Sequence, residues 1–273
     1  MIRDLTELLR KAKNRPVRKV VVAAAEDEHV LKALQNAIKE EIIIPLLVGD
    51  KEKIEQIAQS IGFSLDGIEL IDNREGSTIS ARIAVEKVKS GEADIIMKGF
   101  VSTGDLLKAV LDKDTGLRTD QLLSHVAFFE SPYYHKIFCV TDVAMNIAPD
   151  LDAKVQIIHN AVKACHGIGI GNPKVAVAAA VETVNPKMEA TAHAAQLKEM
   201  NDKGLFVYFT PKVYQYFNPK VYHLKLICKL VLLVLLFWRY RQNSNTNKRL
   251  VLLFCFSFLS LYIHHFFCFF NSV

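Results

Sequence analysis

The sequence predicts an α/β fold with mostly parallel sheets and helices on both faces, and three observations carry that prediction. Short, continuously apolar runs of strand length alternate with segments whose apolar residues recur at helical spacing, from Val17 to Gly204. The runs suit strands buried on both faces, as in a parallel sheet. Glycines and N-cap residues punctuate the joints, as helix stops and starts require.

The elements follow in order. "VRKVVVAAA" (Val17–Ala25) is a buried strand, and Val30, Leu31, Leu34, Ala37 and Ile38 mark a helix after it. "IIIPLLVGD" is a strand in which Pro45 signals an edge or a strand start. "KEKIEQIAQSIG" is a helix stopped at Gly62, "GIELID" a strand, and "STISARIAVEKVKSG" a helix with a Ser or Thr N-cap and a terminal Gly91. "ADIIMKG" and "TGDLLKAVLDK" are the next strand and helix, and "LLSHVAFFE" and "HKIFCVTD" are two strands in close succession. "LDAKVQIIHNAVKACHG" is a long helix, "KVAVAAAV" a strand, and "NPKMEATAHAAQLKEMNDKG" a helix with Pro186 near its start and Gly204 at its end.

The 273 residues carry a formal charge of +5, but the average hides a division. All 29 acidic residues and all 12 glycines precede Leu205, so residues 1–204 are net acidic and the remainder is strongly basic. Cys139 and Cys165, within or beside apolar runs, fit reduced cytoplasmic thiols rather than a disulfide framework. "MIRDLTELLRKAKNRP" has no apolar core of signal-peptide length, and no basic-aromatic stripe points to nucleic acid.

Open parallel sheets take ligands at the carboxyl ends of their strands, so the loops there are searched for chemistry. In "KGFVSTGDLLKAVL", Lys98 leaves a strand and Ser102 and Thr103 open a helix, an arrangement suited to an anion or simply to a capped helix. Arg118 offers paired donors for a phosphate, with a surface ion pair as the plain alternative, and His125 reads as a satisfied, half-buried histidine. Asp142 ends a strand with Asn146 four residues on, the position of active-site polar groups and equally of turn chemistry. "HGIGIGNPK" follows a helix and precedes a strand, the reverse of a dinucleotide fingerprint, so it is a helix stop and loop. Cys165–His166 has no partner cluster, and no metal site is expected. The residues alone reach an anion-binding α/β enzyme.

"IIMKGFVSTGDLLKAVL", "GLRTDQLLSHVAFFE", "VTDVAMNIAPDLDAKVQIIHNAV" and "KVAVAAAVETVNPKMEAT", in that order, resemble the phosphate acetyl/butyryltransferase family, nearest to its butyryl-transferring branch. The resemblance covers residues 1–204. It implies a two-domain fold of the isocitrate/isopropylmalate dehydrogenase type with the site in the cleft between domains. It implies transfer of a short acyl group between coenzyme A and inorganic phosphate, with coenzyme A a substrate and no bound cofactor or metal. It also implies a cytoplasmic enzyme assembled as a homo-oligomer. Lys98, Ser102, Thr103, Arg118, Asp142 and Asn146 match the family's site loops. Arg118 is the implied phosphate ligand, and Thr103 with its helix start a second anion contact.

Residues 205–273 depart from this pattern. The resemblance implies an Asp-Gly-Pro turn and a catalytic Ser-Arg pair here, and neither is present, so the family fold reads as incomplete at its C-terminal side. The segment contains no Ala, Gly, Asp, Glu or Met, although Gly alone averages about 7% of proteins. That composition predicts AT-rich sequence translated out of frame, with impaired activity and uncovered parallel strands prone to aggregate. The alternative is a membrane anchor on a non-enzymatic binding protein, with Leu250–Phe270 and Leu224–Trp238 as spans.

Overall fold

The computed structural model describes residues 2–131, 134–143, 145–179, 181, 183–204, 212–215, 234–237 and 253–255. The chain divides into two compact units: Leu9–Gln121 with Leu232–Val273, and Met1–Leu8 with Leu122–Val231.

The sheet of the first unit comes from β1 (Arg18–Ala23), β2 (Ile43–Gly49), β3 (Glu69–Asp72) and β4 (Ile95–Lys98). Of the short strands β8 (Lys212–Gln215), β9 (Val234–Phe237) and β10 (Leu253–Cys255) among the described residues after 204, the last joins this sheet. The order is β10-β4-β1-β2-β3, every pair parallel. Pro45 lies in an interior strand, yet β3 pairs with β2 only from Leu46 onward. The missing proline donor therefore falls where β2 is just starting. β4 is not left uncovered: β10 takes its free side at Ile96–Lys98.

Helix α1 (Leu5–Lys13) precedes β1 and was not expected from the sequence; Asp4 Oδ1 starts it by accepting from the Glu7 N–H at 2.7 Å. Helices α2 (Glu28–Lys39) and α3 (Lys51–Ser60) are N-capped by Asp27 and Asp50. Their Val30, Leu31, Leu34, Ile54 and Ala58 pack on Val20, Val22, Leu47, Ile95 and Met97. Complete burial of each Val or Leu contributes ~1.5–3 kcal/mol. Helix α4 (Ser77–Ser90) lies against β1, β2 and β4, where its fully buried Ala81 and Ala84 permit close approach. The expected Ser or Thr cap is absent: the N-cap is Gly76, and Ser77 is already helical. Gly91 in left-handed conformation closes α4, and α5 (Thr103–Leu111) packs beside it.

In the second unit, β5 (His125–Ser131) and β6 (Tyr134–Val140) pair antiparallel, departing from the parallel pattern. Parallel strands need a crossover of about a dozen residues, far more than separates these two. Helix α6 (Leu151–Gly167) is N-capped by Asp150, whose carboxylate accepts from the Ala153 N–H. β7 (Lys174–Val177) is shorter than expected and pairs with β8. Helix α7 (Glu189–Asp202) begins three residues after Pro186, because the Thr191 hydroxyl closes a turn with both backbone groups of Asn185. Leu197 of α7 joins Ile158 and Val162 of α6 in this unit's core.

Among the described residues no helix is long and apolar enough to cross a membrane. The candidate spans lie outside the described residues except for Val234–Phe237 and Leu253–Cys255, which are strands.

Two outcomes follow for stability. Gly99→Ala would place a Cβ 1.9 Å from the Ala24 carbonyl oxygen and 2.7 Å from that of Ala23, both backbone. A loss of about 1–3 kcal/mol is expected from urea unfolding, and an unchanged midpoint would refute the close approach. His125 is buried rather than half-buried, at 1% exposure. Burial holds its imidazole below the ordinary histidine range, while the Asp142 charge opposes. The unfolded chain therefore binds a proton near pH ~6.5 that the folded chain resists, so stability is present above that pH and lost as pH falls through it. His159 shifts the same way through burial and then the Lys163 charge. The urea midpoint should fall between about pH 7.5 and 5.5, and His125→Gln should flatten that slope in part; an unchanged slope would count against it.

Candidate functional site

The order of the first sheet marks a candidate ligand edge. From β1 the chain steps through β2 to β3 on one side, then crosses to β4 on the other. Loops leaving the carboxyl ends of β1 and β4 therefore diverge, and ligands bind at such reversals in open parallel sheets. Ala24, Ala25 and Glu26 leave β1 there, and Gly99 to Ser102 leave β4. The two exits are stitched together: Gly99 N donates to Ala23 O at 2.9 Å and Phe100 N to Ala24 O at 2.6 Å. Ala24 takes φ 58, a left-handed conformation that costs a residue bearing a Cβ. This pinning leaves the Phe100 side chain 66% exposed.

Lys98 is half-buried, and Nζ donates to the Gly99 carbonyl at 3.3 Å. No carboxylate pairs with it among the described residues. Ser102 is the N-cap of α5: its Oγ accepts from Asp105 N at 3.0 Å and donates to Asp105 Oδ2 at 2.7 Å. The capped-helix reading therefore holds for Ser102, while Thr103 and Gly104 beside it are exposed. The Ser102 hydrogen bond and then Lys108 hold Asp105 below the usual carboxylate range. An anion at the start of α5 thus meets the helix's positive end and one carboxylate together.

Arg118 stands apart from this loop. After α5 the Asp112 carboxylate accepts from Asp114 N, Thr115 N and Thr115 Oγ1. These bonds, the Thr115 backbone bond foremost, hold Asp112 below its ordinary range. Leu117 N then returns to Val110 O at 2.8 Å, which sets Arg118 by the last turn of α5, ~12 Å along the helix axis from Ser102. The Arg118 side chain is exposed and has no carboxylate partner among the described residues.

Asp142 and Asn146 belong to the other unit and do meet. Asp142 accepts from Met145 N at 3.1 Å and from the Asn146 side-chain amide, which also donates to Leu123 O at 3.1 Å. This is the turn chemistry named as their plain alternative, and it holds the loop after β6 against the start of β5. Thr141 Oγ1 donates to the His125 carbonyl at 2.6 Å in the same place.

Sequence reasoning missed one residue and misjudged another. Glu26 follows β1 at the strand-order reversal, and its Oε2 is buried without a hydrogen-bond partner among the described residues. Burial raises its carboxyl above the ordinary range. That oxygen occupies the space a side chain at position 49 would fill, since a Cβ on Gly49 would lie 2.0 Å from it. An acid directly after an apolar strand was the available signal. The misjudged one is His125, read as half-buried but fully buried, with a charge coupling to Asp142 that sequence does not disclose. No cluster of three or more His, Cys, Asp or Glu suited to a metal occurs among the described residues.

The family profile described as "Phosphate acetyl/butaryl transferase" matches residues 4–83 and 77–205. The phosphate butyryltransferase of Clostridium acetobutylicum is 45% identical over 204 residues, 75% of this chain and 67% of the relative. The phosphate acetyltransferase of Thermotoga maritima is 39% identical over 187 residues, 68% of this chain and 63% of the relative. The matches thus span about two thirds of these relatives' length. A phosphotransacetylase structure from Streptococcus pyogenes superposes with a TM-score of 0.65 at 18% identity, covering 82% of this chain and 78% of that one, a likeness of fold. On the profile match and these identities, the chain belongs to the phosphate acetyl/butyryltransferase family.

Proposed function

We propose that this chain is an acyltransferase of its family type, moving a butyryl or acetyl group between coenzyme A and inorganic phosphate. The observation that supports this most is the reversal of strand order at β1 and β4 in a chain of this family, since Lys98 and the start of α5 follow β4. A phosphate oxygen attacks the thioester carbonyl, the carbonyl becomes a tetrahedral oxyanion, and its collapse breaks the C–S bond. The products are an acyl phosphate and the coenzyme A thiolate. The protein's part is to hold two anions and stabilise the oxyanion. Arg118 is assigned to phosphate at the far end of α5, the start of α5 with Thr103 to a second anion, and Lys98 to charge compensation at that helix start. Ser102 supports that helix start as its cap, and Asp142 with Asn146 shapes the loop after β6.

The two units are read as domains of the isocitrate/isopropylmalate dehydrogenase-type fold, carried by residues 1–204 in a cytoplasmic homo-oligomer. Residues 205–273 are read as foreign to that fold, so turnover is depressed for want of the family's Ser-Arg pair.

The purified 273-residue chain, given butyryl-CoA or acetyl-CoA with phosphate, should release thiol in a phosphate-dependent way but slowly. Release independent of phosphate would defeat the reading, and turnover matching an intact relative would defeat the claim of impairment. Arg118→Gln should raise the KM for phosphate about ten- to hundredfold, the worth of one charged hydrogen-bond set, with Arg118→Lys recovering part. An unmoved KM would remove Arg118 from the phosphate contact.

A further inference from the structure

Helices α6 and α7 pack through Ile158, Val162 and Leu197, with Leu151, Val155 and Met200 against them. On α7, Glu189, His193 and Leu197 follow at four-residue steps, so they share the helix face turned to α6. On α6, Lys154 stands four residues before Ile158, at the flank of the same contact. A row of titratable groups therefore meets one turn before the apolar seam. Lys154 Nζ lies 2.8 Å from His193 Nδ1, and His193 Nε2 lies 3.5 Å from Glu189 Oε1.

An ammonium has no lone pair, so Lys154 donates and His193 Nδ1 accepts. The proton of the neutral ring is then on Nε2, toward Glu189. Amine, imidazole and carboxylate in that order form the relay of an activated nucleophile: a base within hydrogen-bond reach, oriented by a third group. Other lysines meet carboxylates instead, Lys32 with Glu28, Lys87 with Glu92, Lys198 with Asp202 and Lys203 with Glu199. A carboxylate favours the ammonium form. Thus the bonds to Asp50 and Glu92 hold Lys53 and Lys87 above the ordinary lysine range. A neutral imidazole takes the proton instead. The His193 side chain is only 14% exposed, while Lys154 is half-buried and Glu189 open to solvent. The base is sheltered, and a small solute reaches the amine. None of the three has a part in the acyl transfer above.

We propose that Lys154 is an acylation site, taking its acyl group from an acyl phosphate with His193 as base. The proposal rests on the transfer reading above only for the source of that donor. His193 Nδ1 takes one proton from the Lys154 ammonium, and Glu189 offsets the imidazolium charge. The freed amine attacks the acyl carbon and the C–O bond to phosphate breaks. Phosphate leaves as hydrogen phosphate, carrying a second proton from the nitrogen, and the imidazolium passes its proton to water. In sum, one ammonium and one acyl phosphate dianion give an amide, hydrogen phosphate and one proton. The amide carries no charge, so the modified chain loses one cation on α6.

The test incubates the folded 273-residue chain with butyryl phosphate and no coenzyme A, then maps butyryl-lysine by mass after cleavage at acidic residues. Without coenzyme A the transfer reaction cannot run, so failure of the transfer reading leaves this result untouched. Expected is faster butyrylation at Lys154 than at Lys32, Lys198 and Lys203, with the difference lost in urea. In His193→Gln the rate at Lys154 should fall about hundredfold, the low end of what a positioned base supplies, while the other three lysines keep theirs. Butyrylation at Lys154 no faster than at those three would overturn the proposal. So would a Lys154 rate unmoved in His193→Gln, or labelling led by Lys163, whose amine burial holds below the ordinary range. The folded and urea-unfolded wild-type maps decide the matter even where the variant folds poorly.

Discussion

The first unit depends on the approach of two backbones where β1 and β4 end. Two N–H groups of the β4 exit reach the last carbonyls of β1, and only the missing side chain of Gly99 lets them do so. The same contact bends the β1 exit through a left-handed alanine, so the loop carrying Glu26 and the loop carrying Lys98 leave in fixed directions. Because the strand order reverses there, this one contact both joins the strands and shapes the candidate ligand edge. Helix α4 packs behind it through Ala81 and Ala84, with Ser80, Val85 and Val88 buried beside them.

The second unit is organised by side chains acting on backbone. Asn160 ties α6 to the entry of β5 through Leu122 and Ser124, while Asn146 and Asp142 tie the exit of β6 to Leu123. Buried amides of this kind are satisfied in more than one direction, which fixes the hairpin against the helix more narrowly than apolar contact does. His125 lies inside that network, where its proton uptake is coupled to the charge of Asp142.

Most elements of residues 17–204 were legible because periodicity and punctuation are local: α6 has the bounds that its pattern suggests, and Gly91 ends α4 as read. What escaped depends on tertiary neighbours. The cap of α4 went to a glycine, although Ser77 and Thr78 look like better caps. Pro45 sits in an interior strand because β3 begins one residue later, which no single strand discloses. The antiparallel pairing of β5 and β6 was legible in the short link and was overridden by the rhythm around it. At the candidate site, the loop Lys98–Thr103 could be named from sequence, but the commitment of Ser102 to Asp105 and the remoteness of Arg118 along α5 could not. Both depend on how the chain turns after the helix.

Residues 1–8 group with residues 122–231, which follow β1 to β4 in the sequence. Leu5 N donates to Glu130 Oε2 at 3.0 Å across 125 residues of sequence, and Met1–Leu8 is grouped with Leu122–Val231. A ribosome adding about 5–20 residues per second delivers that partner about 6 to 25 s after Leu5 is synthesised. The residues that form the central sheet, up to Lys98, are all polymerised within that interval. The head of the chain thus waits through most of the first unit's synthesis before its own partner exists, which makes its docking a late event in birth on the ribosome.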